Sequence, residues 1–173
     1  MMKELKPGVH LDHMIRQTRN HHVQLSQMAD SKANMLMTTA SVVLTLCVPY
    51  VVNPSLKFAA ISLIVFCFLT ILLSVYSAMP KIPFLFKHKS MEDITYPSFS
   101  LLFFGDFIHL AYEDYEARME AVLTNPDQVY REQLKEIYYL GTFLAKKKYR
   151  YLRLAYFTFL VGFIISGVFL FMV

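Results

Sequence analysis

Three uncharged apolar stretches, Ala33 to Leu56, Phe58 to Pro80 and Leu154 to Val173, decide what this chain can fold into. Each is about as long as the ~20 residues an α-helix needs to cross a bilayer, where backbone polar groups must be satisfied within the span. The chain therefore reads as an all-α membrane protein with three transmembrane helices and long cytoplasmic helical extensions of the first and last spans. The expected segments are a cytoplasmic N-terminal helix at 1–32, spans at 33–52 and 57–79, a cytoplasmic helical region at 80–153 and a last span at 154–173.

Charge separates as cleanly as hydropathy. Outside the spans every Lys and Arg except Lys57 falls in residues 1–32 or 81–153, which the positive-inside rule reads as cytoplasmic. The expected location is the cell inner membrane, multi-pass, with the N-terminus cytoplasmic and the C-terminus periplasmic. Asn53-Pro54-Ser55 then forms an outer hairpin between the first two spans. The first apolar run follows a long polar segment and has no small-x-small cleavage site after it, so it reads as a retained anchor. The formal net charge of +4 reflects this topology first.

From Val9 to Met37 no Pro or Gly interrupts the pattern, and from Asp127 to Val173 no Pro does, so each stretch reads as a helix that runs on into a span. Pro80 to Pro97 reads as irregular, Phe99 to Phe104 as core, and Asp106 to Leu123 as a helix capped by Asp106. Asn125-Pro126-Asp127 reads as the turn and N-cap of the last long helix. Leu11, Ile15, Thr18, His22, Leu25, Ala29, Lys32 and Leu36 step by alternating four and three residues. Tyr130, Leu134, Ile137, Gly141, Leu144, Lys148, Tyr151 and Ala155 do the same. Each helix thus carries one seam, with Ala29, Gly141 and Ala155 as small residues for close approach and Gly162 with Ser166 continuing that character in the third span.

Lys32 and Lys148 fall on these seams near the heads of their spans. A buried ammonium needs an anion. One reading places both in a cytoplasmic pocket for a negatively charged ligand such as a nucleotide phosphate; the other has them snorkel to headgroups or pair with Asp30, Asp106 or another carboxylate. On the first reading Lys32 and Lys148 face phosphate, Arg150 and Arg16 are secondary cations, and Tyr138 or Tyr151 offers a base-stacking surface.

Several function classes are disfavoured. The basic run Lys146, Lys147, Lys148, Arg150, Arg153 lies beside a span, where topology and anionic lipid account for it, so no nucleic-acid partner is expected. His10, His13, His21 and His22 match no zinc spacing, Cys47 and Cys67 lie inside spans, and no metal or cofactor is expected. Without a G-x-S-x-G elbow, an H-E-x-x-H pair or a phosphate-cradling glycine loop, no catalytic residue is assigned and an enzyme is not expected.

Four segments in order carry a resemblance: Met28-Ala29-Asp30-Ser31-Lys32-Ala33-Asn34-Met35-Leu36, Ser100-Leu101-Leu102-Phe103-Phe104-Gly105, Tyr138-Tyr139-Leu140-Gly141 and Lys147-Lys148-Tyr149-Arg150-Tyr151-Leu152-Arg153-Leu154-Ala155-Tyr156. Together they resemble the transmembrane effector family of Pycsar anti-phage systems. The resemblance implies a bacterial inner-membrane effector that responds to cyclic CMP or cyclic UMP, damages the membrane and causes abortive infection. Its implied partners are the lipid bilayer, that cyclic mononucleotide and further copies of itself, since three spans are too few to enclose an aqueous path. Residues 81–153 have neither the strands nor the length for a β-roll nucleotide domain beside their helices, so the pocket is helical or a partner protein does the sensing. The alternative is a non-enzymatic membrane adaptor or scaffold whose cytoplasmic helices dock a partner protein.

Overall fold

Uninterrupted helix-forming sequence from Val9 onward gives a first helix, α1, of 39 residues, Val9–Cys47. It gives way to a 3-10 turn, Val48–Val52, at Pro49, whose ring lacks the N–H a continuing α-helix requires. The computed structural model describes residues 8–79 and 99–172. Asn53 turns the chain, its Oδ1 accepting the Ser55 N–H at 3.1 Å. Then follow α2, Lys57–Ala78, a short α3, Phe104–Phe107, α4, Tyr112–Leu123, and α5, Pro126–Phe143. A π-helical turn, Leu144–Tyr149, leads without a break into α6, Arg150–Phe171. There is no strand among the described residues, and three helices are long and apolar enough to cross a membrane. The expected irregular segment Pro80 to Pro97 lies outside the described residues.

The chain divides into two compact units. One comprises Gln24–Met79 and Leu144–Val173. Its packing is the inverse of a water-soluble core. The side chains α2 buries are Ala59, Ala60, Cys67, Thr70, Ser74 and Ser77, and α6 buries Leu152, Ala155, Gly162 and Ser166. Phe58, Phe68, Leu72, Phe157, Leu160 and Ile164 point outward. Small residues inside and large apolar ones outside is the arrangement for helices solvated by lipid, where association comes from close backbone approach and interhelical hydrogen bonds. Gly162 shows how close: an added Cβ would collide with Cβ of Phe66 and stand 3.0 Å from its Cγ. One residue-turn on, the Ser166 hydroxyl donates to the Ala59 carbonyl at 3.0 Å. Gly162 and Ser166 thus face α2. The contact of α1 with the last helix is made instead by Ala29 and Ala33 against Leu152, with Ala78 and Tyr149 closing the cluster.

The other unit comprises Met1–Val23 and Pro80–Phe143. Leu101 and Leu110 form its buried centre, packed by Phe99, Phe107, Tyr115, Met119 and Val122. Here the expected helix from Asp106 to Leu123 is interrupted. Asp106 lies inside α3 and accepts the Ser100 N–H at 3.0 Å, which closes a tight loop, and Ala111 is extended. Burying Leu110 between two short helices wins over continuous helical hydrogen bonding. The turn into α5 forms as expected, Asn125 Oδ1 accepting from Asp127 N–H at 3.1 Å ahead of Pro126.

Candidate functional site: a charged π-turn at the head of the last apolar helix

Lys148 occupies the π-turn. Its ammonium donates to Asp30 Oδ2 at 2.6 Å and to Ser26 Oγ at 2.8 Å, both on α1. Ser26 and Asp30 stand four residues apart on one helix face, so they converge on a single cation. The Lys148 side chain is 12% exposed and that of Asp30 40%. Desolvation of the ammonium is therefore offset by a charge-assisted pair rather than by water. The other oxygen of Asp30, Oδ1, is buried without a hydrogen-bond partner.

The surrounding backbone is held from outside the turn. A π-turn closes by i→i+5 bonds and widens the helix, which shifts carbonyls out of the regular ladder. The Ser77 hydroxyl of α2 donates to the Lys148 carbonyl at 3.0 Å. The Tyr149 hydroxyl donates to the Leu25 carbonyl at 3.0 Å. Tyr151 meets Tyr76 edge to face with centroids 4.5 Å apart. Three helices thus converge on one residue, some six residues before the last helix becomes uniformly apolar at Leu154.

The sequence-derived residues separate here. Lys148 is enclosed and paired with Asp30, one of the carboxylates weighed for it. Lys32 is exposed, which corrects its placement on the buried line: beyond Leu25 the buried positions of α1 run Ala29, Ala33, Leu36, Ala40. The step of four from Leu25 to Ala29 is followed by another to Ala33, so the face moves one residue past the strict heptad. The same happens on the last helix, where the extra residue of the π-turn buries Leu152 and leaves Tyr151 half-buried. Arg150 is exposed in the turn after Lys148, and neither it nor Lys32 has an ion-pair partner among the described residues. Ala29 and Ala155 are fully enclosed, at 1% and 0% exposure.

Arg16 and Tyr138 belong to the other unit and are exposed there. That unit has its own polar contacts between α1 and α5. Tyr130 donates to Asp12 Oδ1 at 2.7 Å, and this bond together with burial holds the phenol above its usual pKa. Arg19 pairs with Glu136 at 3.0 Å. Burial pushes the Glu136 carboxyl up, against the lowering effect of Arg19. Gly141 lets α1 approach, since a Cβ there would lie 3.1 Å from the His22 ring. Ser26, Ser77 and Tyr149 were not singled out from sequence. Only the Ser26–Asp30 spacing carried a signal, and hydroxyls donating to carbonyls of other helices leave none.

Chemically, the π-turn offers one ammonium whose anionic partner is partly exposed. No group of His, Cys, Asp and Glu among the described residues is arranged to hold a metal ion. The chain matches the Pycsar effector protein domain, PycTM, over residues 13–173. No curated protein and no solved structure matches it. A match spanning nearly all of the described helices, together with three helices that can cross a membrane, identifies the chain: it belongs to the Pycsar effector protein domain family.

Proposed function

We propose that this protein is an anti-phage effector of the bacterial inner membrane that responds to a cyclic nucleotide, cyclic CMP or cyclic UMP, by disrupting the membrane and arresting the infected cell. Family membership and three lipid-compatible helices support the effector part. The messenger-sensing part rests on one observation, the Lys148 ammonium held by Asp30 and Ser26 inside a π-turn that heads an apolar helix.

In this reading the cyclic phosphate takes the place of the Asp30 carboxylate on Lys148. Lys32 and Arg150 are exposed cations that flank it, and the Tyr151 ring supplies a surface for the base. Arg16 and Tyr138 belong to the other unit and are not part of this reading. Withdrawing Asp30 removes the ionic tie between α1 and the π-turn and leaves only the Ser26 and Tyr149 hydrogen bonds; a π-turn then relaxing toward α-helical bonding rotates everything after it by roughly a residue's worth of turn, ~100°. Such a rotation presents a different face of α6 to α2 and to lipid. To take the protein from mostly closed to mostly open, from about 1:99 to 99:1, the messenger must favour the open arrangement by about 5.5 kcal/mol. The charge distribution supports an orientation with the N-terminus and the π-turn on the cytoplasmic side, where the messenger is made.

In bacteria expressing the chain, a cyclase producing cyclic CMP or cyclic UMP should collapse the membrane potential within minutes. Lys148→Ala should abolish the response at unchanged protein level in the membrane fraction. A Lys148→Ala protein that responds like the unsubstituted one removes the pocket, and no depolarisation with either messenger removes the sensing function.

A further inference from the structure

The first apolar helix carries a polar line that no other described residue of its own chain covers. Gln27, Ser31, Asn34, Thr38, Ser41 and Thr45 are all exposed, and they recur at steps of four, three, four, three and four residues. At 100° per residue, Asn34, Thr38, Ser41 and Thr45 fall within an arc of about 60°. The buried residues Ala29, Ala33, Leu36 and Ala40 occupy a similar arc on the opposite side. So α1 spends its small-residue face on the neighbouring helices of its own chain and turns its polar face outward.

Lipid cannot cover that face well. The hydroxyl hydrogens are already used, Thr38 donating to the Asn34 carbonyl at 3.0 Å, Ser41 to Met37 at 2.8 Å and Thr45 to Ser41 at 2.9 Å. Their oxygens keep free lone pairs, and the Asn34 amide has no hydrogen-bond partner among the described residues. An amide without a partner in hydrocarbon is costly. The four inner residues cover about 16 Å of helix, half the ~30 Å hydrocarbon thickness, so they cannot all lie at the headgroup level. An open groove of about 700 Å³ runs along this face, with Asp30, Asn34, Met35 and Thr38 among its lining.

We propose that this line is the seam through which copies of the chain associate in the membrane, α1 against α1. The occupant follows from the chemistry. The stripe holds both acceptors and, in Asn34, a two-hydrogen donor, so it is complementary to itself. Its 3.5-residue period suits a left-handed pair of helices, and Ser and Thr are small enough for close approach. A water-soluble protein cannot reach it inside the apolar stretch Ala33 to Leu56. The seam passes beside Asp30, the carboxylate that holds Lys148, so whatever moves Asp30 acts on the association of copies. That last link rests on the proposed function, whereas the seam does not.

The test uses the full chain with Cys47→Ser and Cys67→Ser, purified and reconstituted alone into phosphatidylethanolamine–phosphatidylglycerol vesicles, and needs no messenger. Single cysteines are placed on the seam (Thr38→Cys, Ser41→Cys, Thr45→Cys) and on the exposed flank (Val42→Cys, Leu46→Cys), then oxidised. Because a disulfide needs Cβ atoms about 4 Å apart, the seam positions should give about tenfold more covalent dimer than the flank. Energy transfer between labelled copies is the second measurement. The combined Asn34→Leu, Thr38→Val, Thr45→Val protein should associate about tenfold more weakly than the unsubstituted chain. Equal cross-linking on both faces, no cross-linking at the seam, or undiminished energy transfer in the combined variant overturns the proposal. Vesicle leakage on adding messenger is read separately, so a failure of the sensing reading and a failure of the seam give different results.

Discussion

Replacing Gly162 by Ala adds one methyl group at the tightest point between α2 and α6. The new Cβ would collide with Phe66 Cβ, an atom fixed to the α2 backbone, so no rotamer change relieves the contact. The helices must part by roughly 1 Å to restore a carbon–carbon distance of about 3.5–4.0 Å. A gap of that size forfeits a quarter to a half of the dispersion energy of each atom pair along the seam. It also stretches the Ser166–Ala59 hydrogen bond, now 3.0 Å, four residues away. Overpacking of this kind costs about 1–3 kcal/mol, and an interhelical hydrogen bond in a membrane adds about 0.6–1.7 kcal/mol. A loss of ~2 kcal/mol corresponds to a Tm drop of about 4–8 °C for a chain of this size. The control is five residues on: a Cβ at Gly167 meets nothing within 4 Å. Gly167→Ala should therefore leave Tm unchanged or raise it slightly, because Ala is the better helix former. Thermal unfolding in detergent micelles followed by far-UV circular dichroism separates the two. A Gly162→Ala protein as stable as Gly167→Ala refutes the close approach of α2 and α6.

Asp30→Asn removes the charge that balances a mostly buried ammonium, leaving it neutral acceptors only, and should cost about 1–3 kcal/mol, less than a fully buried pair because Asp30 is 40% exposed. The double variant Asp30→Leu, Lys148→Met should recover much of it in the same melting assay, and strict additivity of the two single changes would show that they do not interact. Ser77→Ala removes the donor to the Lys148 carbonyl and should cost about 1 kcal/mol, with faster amide hydrogen exchange confined to 144–149. Glu136→Gln should change the pH dependence of stability. A carboxyl raised in the folded protein above its ordinary value of 4.5 binds its proton more tightly folded than unfolded, so stability falls as pH rises from 4.5 through the raised value and stays low above it. The glutamine variant should lack that decline and be at least as stable as the unsubstituted protein at pH 7. A decline that persists in Glu136→Gln assigns it to another group.

The parts of this fold that were legible in the sequence are those governed by composition and local chemistry. Apolar length marks three possible spans, and Asn125-Pro126 caps α5 as its residue types dictate. What was not legible are register shifts. A strict heptad puts Lys32 and Tyr151 inside, but helices here pack with their own phase, and one additional step of four on α1 and one π-turn on the last helix move Ala33 and Leu152 in instead. No residue pattern in Leu-Ala-Lys-Lys-Lys-Tyr marks a π-turn, and the one hydroxyl that meets its Lys148 carbonyl comes from Ser77, distant in the chain. For the same reason the interruption between α3 and α4 leaves no mark in the sequence. It is set by Leu110 finding Leu101, a pairing that helix propensity does not see. Lys148 is legible because a cation on an apolar face is conspicuous, and Asp30 is one of the carboxylates its position in the sequence offers.

Purified protein in sealed vesicles filled with a self-quenched dye tests sensing and membrane disruption together. Added cyclic CMP or cyclic UMP should release dye in a saturable, concentration-dependent way, 5′-CMP and 5′-UMP should not, and Lys148→Ala vesicles should stay sealed. Vesicles that hold their dye through every cyclic nucleotide, with the protein inserted and folded, would contradict a messenger-gated effector and leave a membrane scaffold in its place.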